Sequence, residues 1–261
     1  MSLRRTVAAR LRAAGIPSPD SDARWLIEHV AGSRDVTPKL TAQQEERLFE
    51  LVALRRRRVP LQHLVGSAAF RHLELAVGPG VFVPRPETEV LVDIALQEPF
   101  TTAVDLCTGS GAIALSLATE TGARVVGVEV DPLAIGWARR NAAGRYRILS
   151  ADVCGDDLGH LGPVDLVVSN PPYIPDAMVP RDPEVALYDP PVALFGGADG
   201  LDVVRCVVVQ AKAMLSIGGR LLLEHGEAQA EQVQALLGDF DEVQTWADLS
   251  GRPRITGGRR R

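Results

Sequence analysis

The 261-residue sequence contains few cysteines and no long apolar stretch, and these two absences exclude several classes of protein. Its three cysteines, Cys107, Cys154 and Cys206, are widely spaced and form no C-x-x-C pair, which favours neither a disulfide framework nor a zinc site. No run of about 18 apolar residues is present, and the first residues lack the apolar core of a secretory signal. We therefore predict a soluble protein of a reducing cytoplasm, with no membrane span and no bound metal.

Charge is distributed unevenly along a chain whose overall composition is that of an ordinary globular protein, with 46% hydrophobic and 23% charged residues. Residues 1–66 carry a net charge of +5, whereas residues 67–261 carry a net charge of −10. The basic segment suits an acidic partner surface or a ribonucleoprotein setting. The four arginines at 55–58 are expected to form mostly a solvent-exposed helix end.

The first 66 residues have the pattern of a small helical bundle. Apolar residues recur at helical spacing, as at Val7 and Leu11. Residues 18–22 offer capping groups for a second helix, and Thr37-Pro38 offers a stop before a capping-box-like start at Thr41. Short helices joined by brief connections are the simplest interpretation of this segment.

The pattern changes between residues 67 and 83, where two short apolar segments flank Gly78-Pro79-Gly80 and predict a β-hairpin. An acid-rich segment at 84–89 then precedes the apolar stripe of another helix, which begins at Val90. We therefore divide the chain into a helical bundle at 1–66, a hairpin linker at 67–83 and a larger domain at 84–261.

From residue 102 onward, apolar β-branched segments alternate with helical segments, which predicts an α/β fold with a doubly wound, Rossmann-like parallel sheet. The expected strands lie at 103–106, 124–129, 146–150, 164–169, 220–224, 242–246 and 253–256, and the expected helices at 111–120, 132–142, 201–216 and 227–237. The proline-rich segment at 171–199 is too long for an ordinary connection, and loops of this length are usually functional.

A glycine-rich turn follows the first of these strands and suggests a nucleotide-like ligand, because glycine lets the backbone approach a ligand closely. Glu129 ends the next strand about 20 residues further on, where a carboxylate can accept both ribose hydroxyl hydrogens. Gly109, Gly111 and Ala114 also satisfy the dinucleotide pattern G-x-G-x-x-G/A. An NAD-dependent enzyme and a methyltransferase therefore both remain open at this point. The turn consists of Cys107, Thr108, Gly109, Ser110 and Gly111.

The tetrapeptide Asn170-Pro171-Pro172-Tyr173 directly follows the apolar strand at 164–169 and separates these two possibilities. The Asn170 side chain and the Pro171 carbonyl could together hold both hydrogens of an –NH2 group, and Tyr173 offers a flat face for stacking. The two prolines stiffen the turn before a substrate arrives. The alternative interpretation is a strand-ending turn without chemistry, but its position beside the glycine turn and Glu129 disfavours that.

With this tetrapeptide in place, residues 102–259 resemble class I S-adenosylmethionine-dependent methyltransferases that methylate amino groups. Three further features narrow the resemblance to HemK-type protein-(glutamine-N5) methyltransferases, which act on peptide-chain release factors. These features are residues 83–89, residues 221–226 and the helical N-terminal segment. The resemblance covers nearly the whole chain and implies a seven-stranded methyltransferase sheet, with residues 1–66 as a substrate-recognition bundle.

The resemblance also implies a role for each motif. The turn at 107–111 would lie beneath the methionine part of S-adenosylmethionine, Glu129 would accept the ribose hydroxyls, and Asp152 with Val153 would border the adenine. Residues 170–173 would hold the substrate glutamine, with Asn170 also touching the methyl donor. The expected product is S-adenosylhomocysteine. Two residues depart from the family pattern, which usually has glycine at the position of Cys107 and often an aromatic residue at that of Val153.

Other functions remain open from the sequence. An amino-methyltransferase acting on a nucleic-acid base would share the catalytic motifs, but it usually needs a basic recognition face. An NAD-dependent oxidoreductase gives residues 170–173 no task, and a non-enzymatic binding module explains still less. His225 is expected to be structural, and the protein is expected to be a monomer with no nucleic-acid substrate.

Overall fold

The computed structural model describes residues 2–33, 35 and 38–261, and these residues form two compact units. The helical unit contains the described part of Met1–Ser67, together with Val77–Pro79 and Pro180–Tyr188. The sheet unit contains Ala68–Ala76, Gly80–Val179 and Asp189–Arg261. The units interleave along the chain, whereas the sequence suggests a consecutive division at 1–66, 67–83 and 84–261.

The helical unit packs its N-terminal helices around one apolar core, and its fully buried side chains include Leu11, Leu26 and Leu48. The third helix begins with a capping box, in which the Thr41 hydroxyl accepts from the Gln44 N–H and the Gln44 side chain accepts from the Thr41 N–H. Thr37, the predicted stop before it, lies outside the described residues. The helices are α1 (Leu3–Ala13), α2 (Pro19–Ala31), α3 (Ala42–Arg56) and α4 (Leu61–Val65).

Arg55 departs from the expectation of a solvent-exposed helix end, because it is buried inside the helical unit with only 5% of its surface exposed. Its Nε donates to the Asp22 carboxylate at 2.7 Å, and its Nη1 lies 2.7 Å from the Glu184 carboxylate. Glu184 belongs to the short helix Pro183–Tyr188, which returns to this unit from a distant part of the sequence. Arg56 and Arg57 are exposed and Arg58 is half-buried, so the prediction of a mostly exposed run is wrong for Arg55 alone, whose ion-pair partners are distant in sequence.

A two-stranded hairpin is present, but its turn is not the predicted one. Its strands are β1 (Ser67–Phe70) and β2 (Leu73–Ala76), so the chain turns at Arg71 and His72 rather than at 78–80. Residues 81–83 form no strand. Arg71 adopts a left-handed φ of 52° and its guanidinium donates to Glu120 at 2.7 Å. This non-local ion pair fixes a turn that lacks glycine and proline.

The sheet unit is built on a seven-stranded, mostly parallel sheet, which confirms the predicted fold class. Its strands are β3 (Thr102–Leu106), β4 (Arg124–Glu129), β5 (Arg147–Ser150), β6 (Val164–Ser169), β7 (Leu215–Glu224), β8 (Phe240–Ala247) and β9 (Pro253–Arg260). Their spatial order is β5-β4-β3-β6-β7-β9-β8, in which the strands run parallel up to β7 and the last two pairings are antiparallel. The central strands are buried on both faces, as in parallel sheets flanked by helices.

The remaining helices are α5 (Pro86–Ala95), α6 (Ala112–Thr121), α7 (Pro132–Ala142), α8 (Pro183–Tyr188), α9 (Asp202–Met214) and α10 (Ala230–Leu236). One apolar core of the sheet unit lies where α9 and α10 cover β6 and β7, and it includes Val204, Met214, Leu221 and Val233. Within the described ranges, no helix has the length and apolar character needed to cross a membrane.

Cys154 and Cys206 form a disulfide bond with their Cα atoms 5.2 Å apart, which contradicts the expectation that the cysteines are unpaired. Cys154 follows β5, and Cys206 lies on α9, so a separation of 52 residues in sequence hid their proximity. Cys107 is a free thiol.

Candidate functional site

The loops that carry the predicted site begin side by side at the carboxyl edge of the sheet. Leu106, which ends β3, pairs with Ser169, which ends β6, and the Ser169 hydroxyl donates to the Leu106 carbonyl at 2.7 Å. On the other side of β3, Leu106 pairs with Val128, next to Glu129. Because the strand order reverses between β3 and β6, this edge is the topological switch point, where α/β proteins bind ligands. The structure therefore brings residues 107–111, 129 and 170–173 together.

The glycine turn between β3 and α6 needs a left-handed backbone at Gly109 and Gly111, with φ of 57° and 83°. A Cβ on Gly111 would lie 1.8 Å from the hydroxyl oxygen of Tyr146, so only glycine fits there. Cys107 adopts φ of 59° in the same turn, a conformation that costs a residue with a Cβ about 1–2 kcal/mol. Burial strongly raises the pKa of the Cys107 thiol, so it is neutral and unsuited to act as a nucleophile.

Asp105, on β3 just before the glycine turn, lies beneath this turn and is fully buried. Its Oδ2 accepts from the Thr108 hydroxyl at 2.5 Å and from the Ala114 N–H at 3.1 Å. Its Oδ1 is buried and has no hydrogen-bond partner among the described residues. Burial raises the pKa of Asp105 to about 7. A cationic or hydrogen-bond-donating ligand would satisfy this oxygen and favour the ionised form.

Glu129 ends β4 and faces the glycine turn, where its Oε2 accepts from the Gly109 N–H at 2.8 Å. Its Oε1 accepts from the N–H groups of Val130 and Asp131 at 2.9 and 3.0 Å. A carboxylate offers about four acceptor positions, so capacity for a ligand hydroxyl remains. Glu129 thus fixes the shape of the glycine turn as well as presenting a charge beside it.

Asp152 and Val153, to which the resemblance gives a shared role beside the adenine, differ in the exposure of their side chains. Asp152 is exposed, and its Oδ1 accepts from the Cys154 N–H at 2.8 Å. The Val153 side chain is 6% exposed and packs in the core, while its carbonyl accepts from Gln210 at 3.0 Å. Only Asp152 therefore presents its side chain outside the core.

Asn170 and Tyr173 are held from the far side of the loop by residues of other elements. The Asn170 Nδ2 donates to the Thr88 hydroxyl at 3.1 Å, and the Tyr173 hydroxyl donates to the Glu224 carboxylate at 3.3 Å. Thr88 also donates its own proton to Glu224 at 2.7 Å. Pro171 and Pro172 are buried, so the tetrapeptide is a rigid turn whose polar groups are oriented by α5 and β7.

The chain beyond Tyr173 is hydrogen-bonded to a second segment, residues 194–200, which lies within the stretch predicted as an irregular loop. Ile174 forms a parallel bridge with Phe195, donating to the Leu194 carbonyl at 2.8 Å. A Cβ on Gly200 would lie 2.3 Å from the Tyr173 carbonyl oxygen. The glycines at 196, 197 and 200 thus let this segment approach the chain after Tyr173 closely. This cluster of glycines was the feature of the sequence from which the close approach could have been predicted.

His225, next to Glu224, is fully buried and both of its ring nitrogens have partners. Nε2 lies 2.8 Å from the Thr256 hydroxyl, and Nδ1 lies 2.8 Å from the Gly226 carbonyl, to which it donates. Burial lowers the pKa of His225 and favours the neutral ring. This arrangement agrees with the structural role expected of it.

Sequence reasoning missed four residues that shape the site: Thr88, Asn141, Glu224 and Gln229. Asn141 on α7 donates to the Ser110 carbonyl at 2.9 Å and so supports the glycine turn. Gln229 donates to the Tyr173 carbonyl at 3.0 Å. Thr88 and Glu224 lie within segments 83–89 and 221–226, which carried the resemblance, but only the fold shows which partners they have.

Comparison with known proteins agrees with this architecture. Residues 2–66 match the family model described as PrmC N-terminal domain, and residues 73–179 match the one described as methyltransferase small domain. A methyltransferase from Pyrococcus furiosus superposes with a TM-score of 0.56 at 18% identity, over 83% of this chain and 97% of that chain, and so shares its fold. The fold and the site define a methyltransferase.

Two curated relatives narrow the class. The release factor glutamine methyltransferase of Mycolicibacterium smegmatis is 48% identical over 95% of this chain and 92% of its own length. That of Mycobacterium tuberculosis strain H37Rv is 44% identical over 98% of this chain and 90% of its own length. The chain belongs to the family of release factor glutamine methyltransferases.

Proposed function

We propose that this protein transfers a methyl group from S-adenosylmethionine to the side-chain amide nitrogen, N5, of the glutamine in the GGQ motif of peptide-chain release factors. The observation that carries the proposal is the pairing of Leu106 with Ser169, which starts the glycine turn and the Asn170 turn side by side. A methyl donor in the first turn and an amide in the second would then be neighbours. The near full-length similarity to named release factor glutamine methyltransferases supports the choice of substrate.

The residues of the glycine turn suit S-adenosylmethionine, which supplies a sulfonium methyl group when bound. The left-handed backbone at Gly109 and Gly111 leaves room for the methionine part, and Glu129 can accept ribose hydroxyls. The Oδ1 of Asp105, to which no described residue donates a hydrogen bond, suits a positively charged ligand. Thr108 and Ser110 complete the turn, and Asp152 with the backbone of Val153 is proposed to border the adenine.

Asn170 and the Pro171 carbonyl are proposed to accept hydrogen bonds from the two N–H groups of the substrate amide. The amide nitrogen forms a bond to the methyl carbon as the carbon–sulfur bond breaks, the electron pair stays on sulfur, and the nitrogen then loses a proton to water. An amide nitrogen is a poor nucleophile because its lone pair is delocalised. Acceptors on both N–H groups favour the pyramidal nitrogen that develops positive charge, and Pro172 and Tyr173 keep them in place.

We further propose that the protein works in the cytoplasm as a monomer, because its proposed substrate is a translation factor and one chain contains every site residue. An amino-methyltransferase acting on a nucleic-acid base is the second candidate. The basic character of residues 1–66 favours it, whereas the net charge of −10 on residues 67–261 disfavours it.

The two candidate functions are distinguished by which polymer, protein or nucleic acid, is labelled in a methylation assay. The protein is incubated with tritiated S-adenosylmethionine and, in separate reactions, with a full-length release factor, tRNA and DNA. The proposal expects label in the release factor alone, and no label when its GGQ glutamine is replaced by alanine. Label in tRNA or DNA without label in the release factor would overturn it.

A further inference from the structure

We infer that Thr88 and Glu224 are positioning residues that fix which way the Asn170 amide faces, an inference that rests on the function proposed above. Neither residue belongs to the tetrapeptide, and neither is assigned a contact with substrate or methyl donor. They form a buried chain of hydrogen bonds behind the site, running from Asn170 through Thr88 to Glu224 and on to Tyr173.

The number of protons shared by these hydrogen-bonded side chains determines which atom donates at each step. An ionised Glu224 can only accept, so its Oε2 receives the single hydroxyl proton of Thr88 at 2.7 Å. With that proton committed, the Thr88 oxygen can only accept from its next partner. The Asn170 amide must therefore present its Nδ2 to Thr88, at 3.1 Å.

This orientation has a consequence for the substrate. When Nδ2 of Asn170 faces Thr88, Oδ1 is the atom left for an incoming N–H group. In the opposite orientation, the Asn170 NH2 would meet the substrate NH2, and two donors cannot bond to each other. The chain thus selects the one amide orientation that suits a primary amide substrate.

The burial of Thr88 and Glu224 strengthens the preference for this orientation of the Asn170 amide. Glu224 and Thr88 are 4% exposed, so neither can exchange its partner for bulk water. An unsatisfied polar atom at such depth is costly, and each member therefore keeps the bond that the next one dictates. Tyr173 depends on the same carboxylate, so one buried charge orients both polar side chains of the tetrapeptide.

The orientation of the Asn170 amide depends on whether Glu224 is ionised or protonated. Burial, the largest effect, and the nearby charge of Glu87 raise the pKa of Glu224 to about 7. The hydroxyl groups of Thr88 and Tyr173 and the charge of Arg254 on β9 oppose that rise. Arg254 is itself 3.5 Å from Asp248.

The sign of the pH effect follows from the proton count. Above pH 7 Glu224 is ionised, and the orientation of Asn170 is fixed. As the pH falls, a protonated Glu224 can donate to Thr88, whose own proton becomes free to bond Oδ1 of Asn170. The amide then turns its NH2 toward the substrate, and kcat decreases by about tenfold between about pH 8 and pH 6, as expected for a single group.

The test compares Thr88→Val, Thr88→Ser and Glu224→Gln in the full chain, with a full-length release factor and tritiated S-adenosylmethionine. Thr88→Val is expected to lower kcat by about tenfold or more, and Thr88→Ser to keep it within about threefold of wild type. Glu224→Gln is expected to abolish the decrease in kcat at low pH. The affinity for S-adenosylmethionine, measured by calorimetry, stays within about threefold for all three variants.

The opposite end of the sheet offers a matched control, because the Asp165 carboxylate also accepts from a threonine hydroxyl, that of Thr102 at 3.0 Å. Thr102→Val and Asp165→Asn are expected to leave kcat and its pH dependence unchanged. If the Thr88→Val variant fails to bind S-adenosylmethionine, the inference is tested by the pH dependence of kcat in the isosteric Glu224→Gln variant.

Two results overturn the inference: a Thr88→Val variant that binds S-adenosylmethionine and keeps wild-type kcat, or a Glu224→Gln variant with the wild-type pH dependence. Both can be seen only if the wild-type protein methylates the release factor. A wild-type protein that binds S-adenosylmethionine and does not methylate the factor would overturn the proposed function instead, so the two failures are distinct.

Discussion

Asn170 and Glu129 lie on neighbouring loops but have different partners, and the difference separates their expected effects. Glu129 binds three backbone N–H groups around the glycine turn. Asn170 donates its Nδ2 to a side chain on α5, and none of the residues that the structure describes donates to its Oδ1, which is therefore available to a ligand. We therefore expect changes at Glu129 to weaken the binding of the methyl donor and changes at Asn170 to slow methyl transfer.

Replacing Asn170 by alanine is expected to lower kcat by about a hundredfold or more, because an acceptor that stabilises the developing charge is lost. The affinity for S-adenosylmethionine should stay within about threefold of wild type by calorimetry. Gln234→Ala, which removes an exposed amide from α10, serves as the control and should retain wild-type turnover. An Asn170→Ala enzyme with turnover within about tenfold of wild type would exclude this role.

Replacing Glu129 by alanine is expected to weaken S-adenosylmethionine binding by about 1.5–3 kcal/mol, which is the usual contribution of a hydrogen bond to a charged group. The glycine turn also loses a carboxylate that holds the Gly109 N–H. Calorimetric titration measures the change, and the exposed Glu231→Ala on α10 provides a control that removes a charge elsewhere. An unchanged affinity in the Glu129 variant would contradict the assignment.

At the scale of elements, the turn between β3 and α6 depends on glycine for its shape. Gly111→Ala would place a methyl group 1.8 Å from the Tyr146 hydroxyl oxygen in a left-handed conformation, so we expect a loss of about 2–4 kcal/mol in the free energy of unfolding. Gly136 on α7 has open space around it, and Gly136→Ala should stabilise the protein by about 0.5–1 kcal/mol. Urea unfolding without ligand measures both changes, and similar values for the two variants would refute the steric argument.

The helical unit depends on a buried charge cluster between α2, α3 and α8. Arg55→Ala would leave the carboxylates of Asp22 and Glu184 without their common partner, at an expected cost of about 3–5 kcal/mol. Arg47→Ala breaks an exposed pair with Glu50 on the same helix and should cost less than about 1 kcal/mol. Denaturant unfolding of the full chain distinguishes them, and a mild effect of Arg55→Ala would show that the cluster adds little stability.

Local patterns predicted much of the sheet unit. The bounds of β4, β6 and α7 agree with the sequence prediction, because apolar strands buried on both faces and a capped helix have strong local signals. The hairpin turn at Arg71 and the burial of Arg55 could not be predicted, since both depend on carboxylates distant in sequence.

The candidate site shows the same limit. The glycine turn, Glu129 and residues 170–173 were apparent in the sequence because each follows an apolar strand. The supporting residues were not, since Thr88 and Glu224 meet across 136 residues of chain. Val153 was placed on the adenine side by resemblance alone, whereas its side chain lies in the core. Sequence thus predicted the positions of the loops better than the orientation of their side chains.

At the scale of the whole molecule, the division of charge accompanies a division of structure. The basic segment 1–66 falls within the helical unit, and the acidic remainder falls mostly within the sheet unit. The chain leaves the sheet unit after Val179 and returns to it at Asp189, so the segment following the Asn170 turn is covalently continuous with the helical unit. We propose the helical unit as the part that recognises the release factor.

The Cys154–Cys206 bond provides a test of the proposed compartment, because cytosolic thiols are kept reduced. Cells producing the protein are lysed in acid with an alkylating reagent, and the two cysteines are examined by mass spectrometry. A cytoplasmic protein is expected to show both cysteines alkylated, while the same protein oxidised after purification forms the bond. A bond present at the moment of lysis would contradict the cytoplasmic assignment.

Locating the transferred methyl group tests the proposed function most directly. A full-length release factor is methylated with purified protein and S-adenosylmethionine, digested, and sequenced by fragmentation mass spectrometry, with the Asn170→Ala variant run in parallel. We predict one added methyl group on the side-chain amide of the GGQ glutamine with the wild-type protein and almost none with the variant. A methyl group on another residue would contradict the proposed function, and equal methylation by the Asn170→Ala variant would contradict the role assigned to Asn170.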